Sequence, residues 1–297
     1  MIYDITHTTS YRYQHVAAFS QHLMRLSPRA LTGQQVHKTE FTLSPEADTL
    51  VEEWDMFGNL GHVATVAKPH SAIEIKAISR IELSAPSAMI FDASAPWEEV
   101  GKLATGRGTP PIPAEIAPFC YPSMMTRADG AIEAYVRESF EVGRPILAAA
   151  KELTGRIHAD FEYVPGTTAA DTLPIESFSK RRGVCQDFAH VMLACLRSLR
   201  LPARYVSGYL RTHPPEGEER LQGADASHAW VSVWDPVLGW VDFDPTNNIV
   251  PGLEHITLAW ARDYADIAPV AGIVIGAGQQ ILSVGVDVKP VSQASKD

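Results

Sequence analysis

The chain has 297 residues, enough for two domains at roughly 100–200 residues each. Its composition, 45% hydrophobic and 20% charged, supports a buried core and excludes a disordered or collagen-like chain. Lys and Arg number 25 against 35 Asp and Glu, and the formal charge of −10 argues against phosphate-backbone binding, so no nucleic-acid partner is expected. Three cysteines, Cys120, Cys185 and Cys195, are too few and too uneven for a disulfide framework. Residues 1–21 have no basic n-region or apolar h-region. No apolar run reaches the roughly 18–20 residues of a membrane span. These features predict a cytoplasmic protein with free thiols and no membrane partner.

Residues 1–85 read as all-β. Ile73 to Ile81 alternates apolar and polar, the period of a half-buried strand, and Phe57-Gly58-Asn59 reads as a turn between strands. Short strands with such punctuation predict a sandwich or small barrel. From Pro86 to Pro122 seven prolines, with Gly106 and Gly108, predict a connector that sustains neither helix nor central strand. Ile146, Ala150, Leu153, Ile157 and Phe161 then recur at helical spacing after Pro145. A second helix is predicted to begin near Cys185, with Phe188, Met192, Cys195, Leu196 and Leu199 as its apolar stripe and Pro202 beyond its end. Strand-like segments follow at Ala203–Leu210, His228–Trp234 and Trp240–Asp244. Helices followed by strands indicate an α+β fold for this half.

Cys185 falls in the first turn of its helix, after Gly183. A helix N-terminus carries about half a positive charge and unpaired N–H groups, which favour thiolate over thiol. The same N–H groups can hold the oxyanion of a tetrahedral intermediate. Cys195 within the apolar stripe and Cys120 in the connector read as structural. The segment from Asp225 to Asn248 contains two strands flanking a turn at Asp235 to Gly239. If Trp234 faces Trp240, then Ser232 faces Asp242, and His228 and Asp244 become diagonal neighbours on one face, roughly 7–8 Å apart at Cα. Asp242 lies one step further from His228. A Cys–His–Asp set suits acyl chemistry on amides: the imidazole takes the thiol proton and passes it to the leaving amine, and the carboxylate fixes the tautomer. A zinc site using Cys185, His190, His213 or His228 lacks short ligand pairs. Arg181 and Arg182 read as a solvated turn. Trp230, Trp234 and Trp240 share the face of His228 and read as core or cleft wall.

Four blocks now stand in order: Arg181 to His190 around Cys185, Leu201 to Leu210, Ala226 to Val231 around His228, and Gly239 to Asn247 around Asp244. Together they resemble the bacterial transglutaminase-like family, whose members are often described as candidate cysteine proteases. Thr8 to Tyr13, Arg25 to Arg29 and Phe57 to Asn59 are similar to the β-rich N-terminal region that accompanies this core, and Asp263 to Asp266 to the segment after it. The resemblance implies an α+β fold with a papain-like transglutaminase core preceded by a β-rich domain. It also implies catalytic roles for Cys185, His228 and Asp244. The expected organisation is a β-rich domain at 1–85, a Pro-rich connector with room for one helix at 86–142, a catalytic core at 143–265 and a strand-like segment at 266–297. The expected function is thiol-dependent hydrolysis of a protein or peptide amide, with no metal or cofactor. Amine transfer to protein glutamine is the alternative, and a non-catalytic binding module on the same fold the third reading.

Overall fold

The computed structural model describes residues 1–127, 129–212 and 226–291. The N-terminal part is built from β1 (Ile2–Ala17), β2 (Phe19–Met24), β3 (Gln34–Ser44), β4 (Thr49–Trp54), β5 (Leu60–Val66) and β6 (His70–Leu83). In β6 the odd-numbered side chains, Ile73, Ile75, Ala77 and Ile81, are buried, as the alternation predicts. The connector holds α1 (Trp97–Ala104) and α2 (Gly130–Arg137). The core continues with α3 (Ile146–Asp160), β7 (Glu162–Tyr163), α4 (Pro174–Lys180), β8 (Arg182–Gly183), α5 (Cys185–Ser198), β9 (Ala203–Leu210), β10 (Ala226–Asp235), β11 (Gly239–Phe243) and β12 (His255–Ala261). The chain then returns as β13 (Val270–Ile275) and β14 (Gln280–Pro290).

Two four-stranded sheets, ordered β14-β1-β6-β3 and β13-β2-β5-β4, face one another over a shared apolar core. Tyr13 and Ile75 from one sheet meet Met24 and Val66 from the other in that core, the layered arrangement of a sandwich. The C-terminal strands supply one edge of each sheet, so the strand-like segment after residue 266 belongs structurally with the N-terminal half. A third sheet, ordered β11-β10-β9-β12, carries the core. α5 lies on its Ala229, Val231 and Val233 face, with α2 and α3 packed around it. Tyr3, Ile5 and Val288 pack against Tyr209, Ile256 and Leu258, which welds the sandwich to the core sheet. The molecule is thus α+β.

Two expectations about the connector need correction. An α-helix does form within its Pro-rich stretch, because α1 contains no proline: Pro96 serves as its N-cap and the next proline is Pro110. The boundary expected at 143 also falls too late. Ile132, Tyr135 and Val136 of α2 are buried in the same apolar cluster as α5, so the core begins before residue 132.

Candidate active site

The strand–helix junction at Cys185 is shaped by a buried carboxylate. β8 pairs in parallel with β7 and delivers Val184 in an extended conformation as the N-cap of α5. Asp187, in the first turn, accepts hydrogen bonds from the Val184 amide at 2.8 Å, Thr168 Oγ1 at 2.7 Å and Ser177 Oγ at 3.0 Å. Its negative charge complements the positive end of the helix, and these donors satisfy it in the interior. Gly183 is required here, since a Cβ would sit 2.6 Å from Asp187 Oδ2. Cys185 is thereby placed at the first helical position.

The three thiols differ sharply in surroundings. Cys120 and Cys195 are fully buried, and burial pushes each thiol up to about 12, so both stay protonated at neutral pH. Cys185 is only partly buried. It is the thiol a substrate can reach.

The hairpin register places the base and its partner. Trp234 pairs with Trp240, Ser232 with Asp242 and Val231 with Phe243, the register read from the turn. Asp244 leaves the ladder immediately after and bridges to Ile249. Its Oδ1 accepts the amides of Thr246 at 2.9 Å and Asn247 at 3.2 Å, the signature of an Asx turn before Pro245. Its Oδ2 faces back and accepts His228 Nε2 at 2.8 Å. One carboxylate therefore both forms the turn and holds the imidazole. His158 at the end of α3 contacts the Thr246 carbonyl at 2.8 Å and steadies this loop from behind.

Nε2 of His228 is taken by Asp244, which leaves Nδ1 as the ring nitrogen free to serve Cys185, a neighbour close enough to raise the ring's hold on a proton. Burial works against an imidazolium at His228, but the hydrogen bonds to Asp244 and Cys185 and their charges outweigh it and raise the ring to about 10. Burial likewise opposes the Asp244 carboxylate, yet the hydrogen bonds from His228 and His255 hold it far below its ordinary value. Asp242, by contrast, accepts Trp230 Nε1 at 2.9 Å, and no contact joins it to His228 among the described residues.

Two further residues complete the Asp244 environment. His255 Nε2, from β12, lies 3.1 Å from the same Oδ2, and Asn247 Nδ2 donates to it at 2.7 Å. His255 is buried edge-on against Trp230, with ring centroids 5.2 Å apart. Neither role is visible locally. Asn247 reads as a turn residue, and His255 reaches the site only because β12 pairs with the far side of β9. The ligand atoms of His228, Asp244 and His255 lie within 4.8 Å of one another, close enough to hold a metal ion. Both Nε2 atoms, however, meet a carboxylate oxygen at hydrogen-bond distance, and N–H donation accounts for that geometry without an ion.

The remaining candidates are accounted for elsewhere. His190 is buried and its Nε2 accepts the Tyr264 amide at 3.2 Å. His213 and Asp225 lie outside the described residues. Arg182 is exposed, but Arg181 is not part of a solvated turn: it ends α4 at φ 51° and lies 4.0 Å over the Phe178 ring. Trp230 and Trp234 are buried, as walls rather than open platforms.

Residues 3–82 match the bacterial transglutaminase-like N-terminal region, and residues 132–245 match the transglutaminase-like superfamily. An uncharacterized protein of Mycobacterium tuberculosis is 35% identical over 302 residues, covering 97% of this chain and 92% of its own. A protein-glutamine gamma-glutamyltransferase of Pseudomonas aeruginosa is 36% identical over 122 residues, covering 38% of this chain and 18% of its own. A solved structure from Cytophaga hutchinsonii, described as a candidate cysteine protease, shares the fold with a TM-score of 0.75 at 19% identity, over 98% of this chain and 92% of that one. The whole-length relative and the two matched regions agree: the chain belongs to the bacterial transglutaminase-like family, a transglutaminase-like core behind its β-rich N-terminal region.

Proposed function

We propose that the protein is a thiol-dependent amide-bond enzyme that hydrolyses a protein or peptide substrate through a thioester on Cys185. The observation that carries this reading is the accessible thiol of Cys185 beside the buried pair His228–Asp244, in which Asp244 holds Nε2 and leaves Nδ1 toward the thiol. With the thiol proton held on His228, sulfur bonds to the carbonyl carbon. The oxyanion forms beside the first amides of α5. His228 then returns the proton to the amine as the C–N bond breaks. Water, deprotonated by the same imidazole, attacks the thioester and releases the acid and the free thiol. No step calls for a metal or cofactor. The three unpaired thiols suit a reducing compartment such as the cytoplasm, which we propose as its location.

Amine transfer shares the same thioester, and the similarity to the Pseudomonas gamma-glutamyltransferase favours it as the second reading. The two differ only in what resolves the intermediate. Water is present at about 55 M, so an amine must be strongly favoured by positioning to compete. The deciding experiment offers glutamine-containing peptides with a labelled primary amine and quantifies hydrolysed against amine-linked product, with Cys185→Ala as the blank. Hydrolysis is expected to predominate. Predominant amine incorporation at millimolar acceptor makes the protein a transglutaminase, and turnover that survives Cys185→Ala removes the thiol mechanism altogether.

A further inference from the structure

A cavity of about 260 Å³ lies between the sandwich and the core sheet; Cys185, His228 and Asp244 are not among its walls, although His255, which meets Asp244, is. Its walls include Leu83 and Ser84 from the end of β6 and Trp230, Trp240, Trp260 and Arg204 from the core. Arg204 sits in β9, in a row with Ser232 of β10 and Asp242 of β11. It is 8% exposed, and its guanidinium carbon lies 3.6 Å from the Trp260 ring centre and 4.2 Å from that of Trp240. Both faces of the planar cation are therefore covered by indole, and only its edge, which carries the N–H donors, is left.

That edge is unused. No hydrogen bond or ion pair reaches Arg204 among the described residues, and its Nε is buried without a partner. The neighbouring Ser232 hydroxyl is also buried without a partner. Asp242, the acid in the row, spends Oδ2 on Trp230. Arg181 Nη1 and Arg211 Nε are likewise buried without a partner, but the two arginines nearest in setting look different. Arg197, fully buried, donates to the carbonyls of Ala203 and Arg262 and to Thr126 Oγ1. Arg29, which covers the opposite side of Trp260 at 3.6 Å, donates to Asn59 Oδ1 and the Phe57 carbonyl. A buried guanidinium with idle donors costs free energy until an acceptor meets them.

We propose that this cavity is a second binding site, distinct from the thiol centre, that takes a carboxylate joined to an apolar body. A carboxylate matches the in-plane fork of Arg204 with two parallel N–H···O bonds. The apolar body lies against Leu83 and the indoles, as in most small-ligand pockets. Because β6 supplies part of the wall, the ligand touches both halves of the molecule.

The test is calorimetric titration of the full-length protein with N-acetyl-leucine, N-acetyl-leucinamide and inorganic phosphate. Saturable binding of the acid is expected, with the amide and phosphate at least ~10-fold weaker. Arg204→Gln should abolish it. Ser84→Trp, at an exposed rim position, should block the cavity with folding intact, and it decides the matter if the arginine variant does not fold. Peptides ending in leucine, with free and amidated C-termini, separate a chain end from a small free acid as the source, and selective binding of either supports the site. Equal binding of acid and amide overturns the proposal. So does phosphate binding as tight as the acid, wild-type affinity in a folded Arg204→Gln or in Ser84→Trp, or no saturable binding up to about 10 mM.

Discussion

Replacing Asp244 with asparagine exchanges one oxygen for an NH2 and reverses the sense of the hydrogen bond on which His228 depends. In the wild type Oδ2 accepts from His228 Nε2, His255 Nε2 and Asn247 Nδ2, three donors on one oxygen. With a donor NH2 in that place, His228 relieves the clash by moving its proton to Nδ1. The nitrogen that faces Cys185 is then no longer a base. The same fault costs on the order of 10⁴ in rate in a Ser–His–Asp triad. A thiol ionises more readily than a hydroxyl and leans less on its base, so a loss of roughly 10³ in the acylation rate is expected here. Charge-assisted hydrogen bonds contribute about 1.5–3 kcal/mol each. Losing those from His228 and His255, offset by removing a buried charge, should lower stability by about 2–4 kcal/mol. Asp242→Asn is the control. It keeps an oxygen for Trp230 Nε1 and should stay within about threefold in rate, under 1 kcal/mol. The assay is burst release from a p-nitrophenyl ester, corrected by Cys185→Ala, alongside urea unfolding. Equal losses for the two variants, or an Asp244→Asn rate within about tenfold of wild type, would refute the argument.

His255→Phe keeps the ring packed on Trp230 but deletes one donor to Asp244, so acylation should slow by roughly tenfold with substrate affinity unchanged, and a loss confined to affinity would contradict the positioning role. The pH dependence of stability has a definite sign. His228 is raised from the ordinary 6.5 to about 10, so its proton stabilises the fold fully below 6.5 and progressively less as pH rises through 10. Thermal unfolding of wild type and His228→Gln should therefore differ most near pH 6 and converge toward pH 10. A gap that stays constant or widens across that window would mean the imidazolium is not held by its neighbours.

The candidate site was legible where its information is local. The start of α5 follows from Gly183, an apolar stripe and Pro202. The 234–240 register follows from a five-residue turn with Pro236 and Gly239. That register already favours Asp244 over Asp242 as the neighbour of His228. What the sequence hides is whatever depends on distant pairing. His255 reaches Asp244 through the β12–β9 ladder, and Arg204 is caged by tryptophans from two other strands. α1 is hidden for a different reason: proline is dense over the connector as a whole, whereas an eight-residue helix needs only an interval free of proline. The return of the chain to the N-terminal sheets leaves no local mark, since β13 and β14 look like ordinary half-exposed strands.

That return gives the last prediction. β14 pairs antiparallel with β1 from Tyr3–Pro290 to Tyr13–Gln280, and β13 pairs with β2 from Met24–Val270 to Phe19–Ile275. Deleting residues 270–297 removes an edge from both sheets at once. β1, the longest strand at 16 residues, then becomes an open edge with unpaired amides and carbonyls along most of its length. Such an edge is a template for pairing with another chain. The deletion also removes Val286 and Val288, buried against Tyr3 and Ile5 at the junction with the core sheet, at about 1.5–3 kcal/mol each. The shortened chain should be less stable by several kcal/mol and should associate as concentration rises, even though every residue around Cys185 is retained. Light scattering and denaturant unfolding against concentration read both effects. A shortened chain that stays monomeric and unfolds at the wild-type midpoint would show that the two C-terminal strands add nothing to the sandwich, and the pairing argument would fail with it.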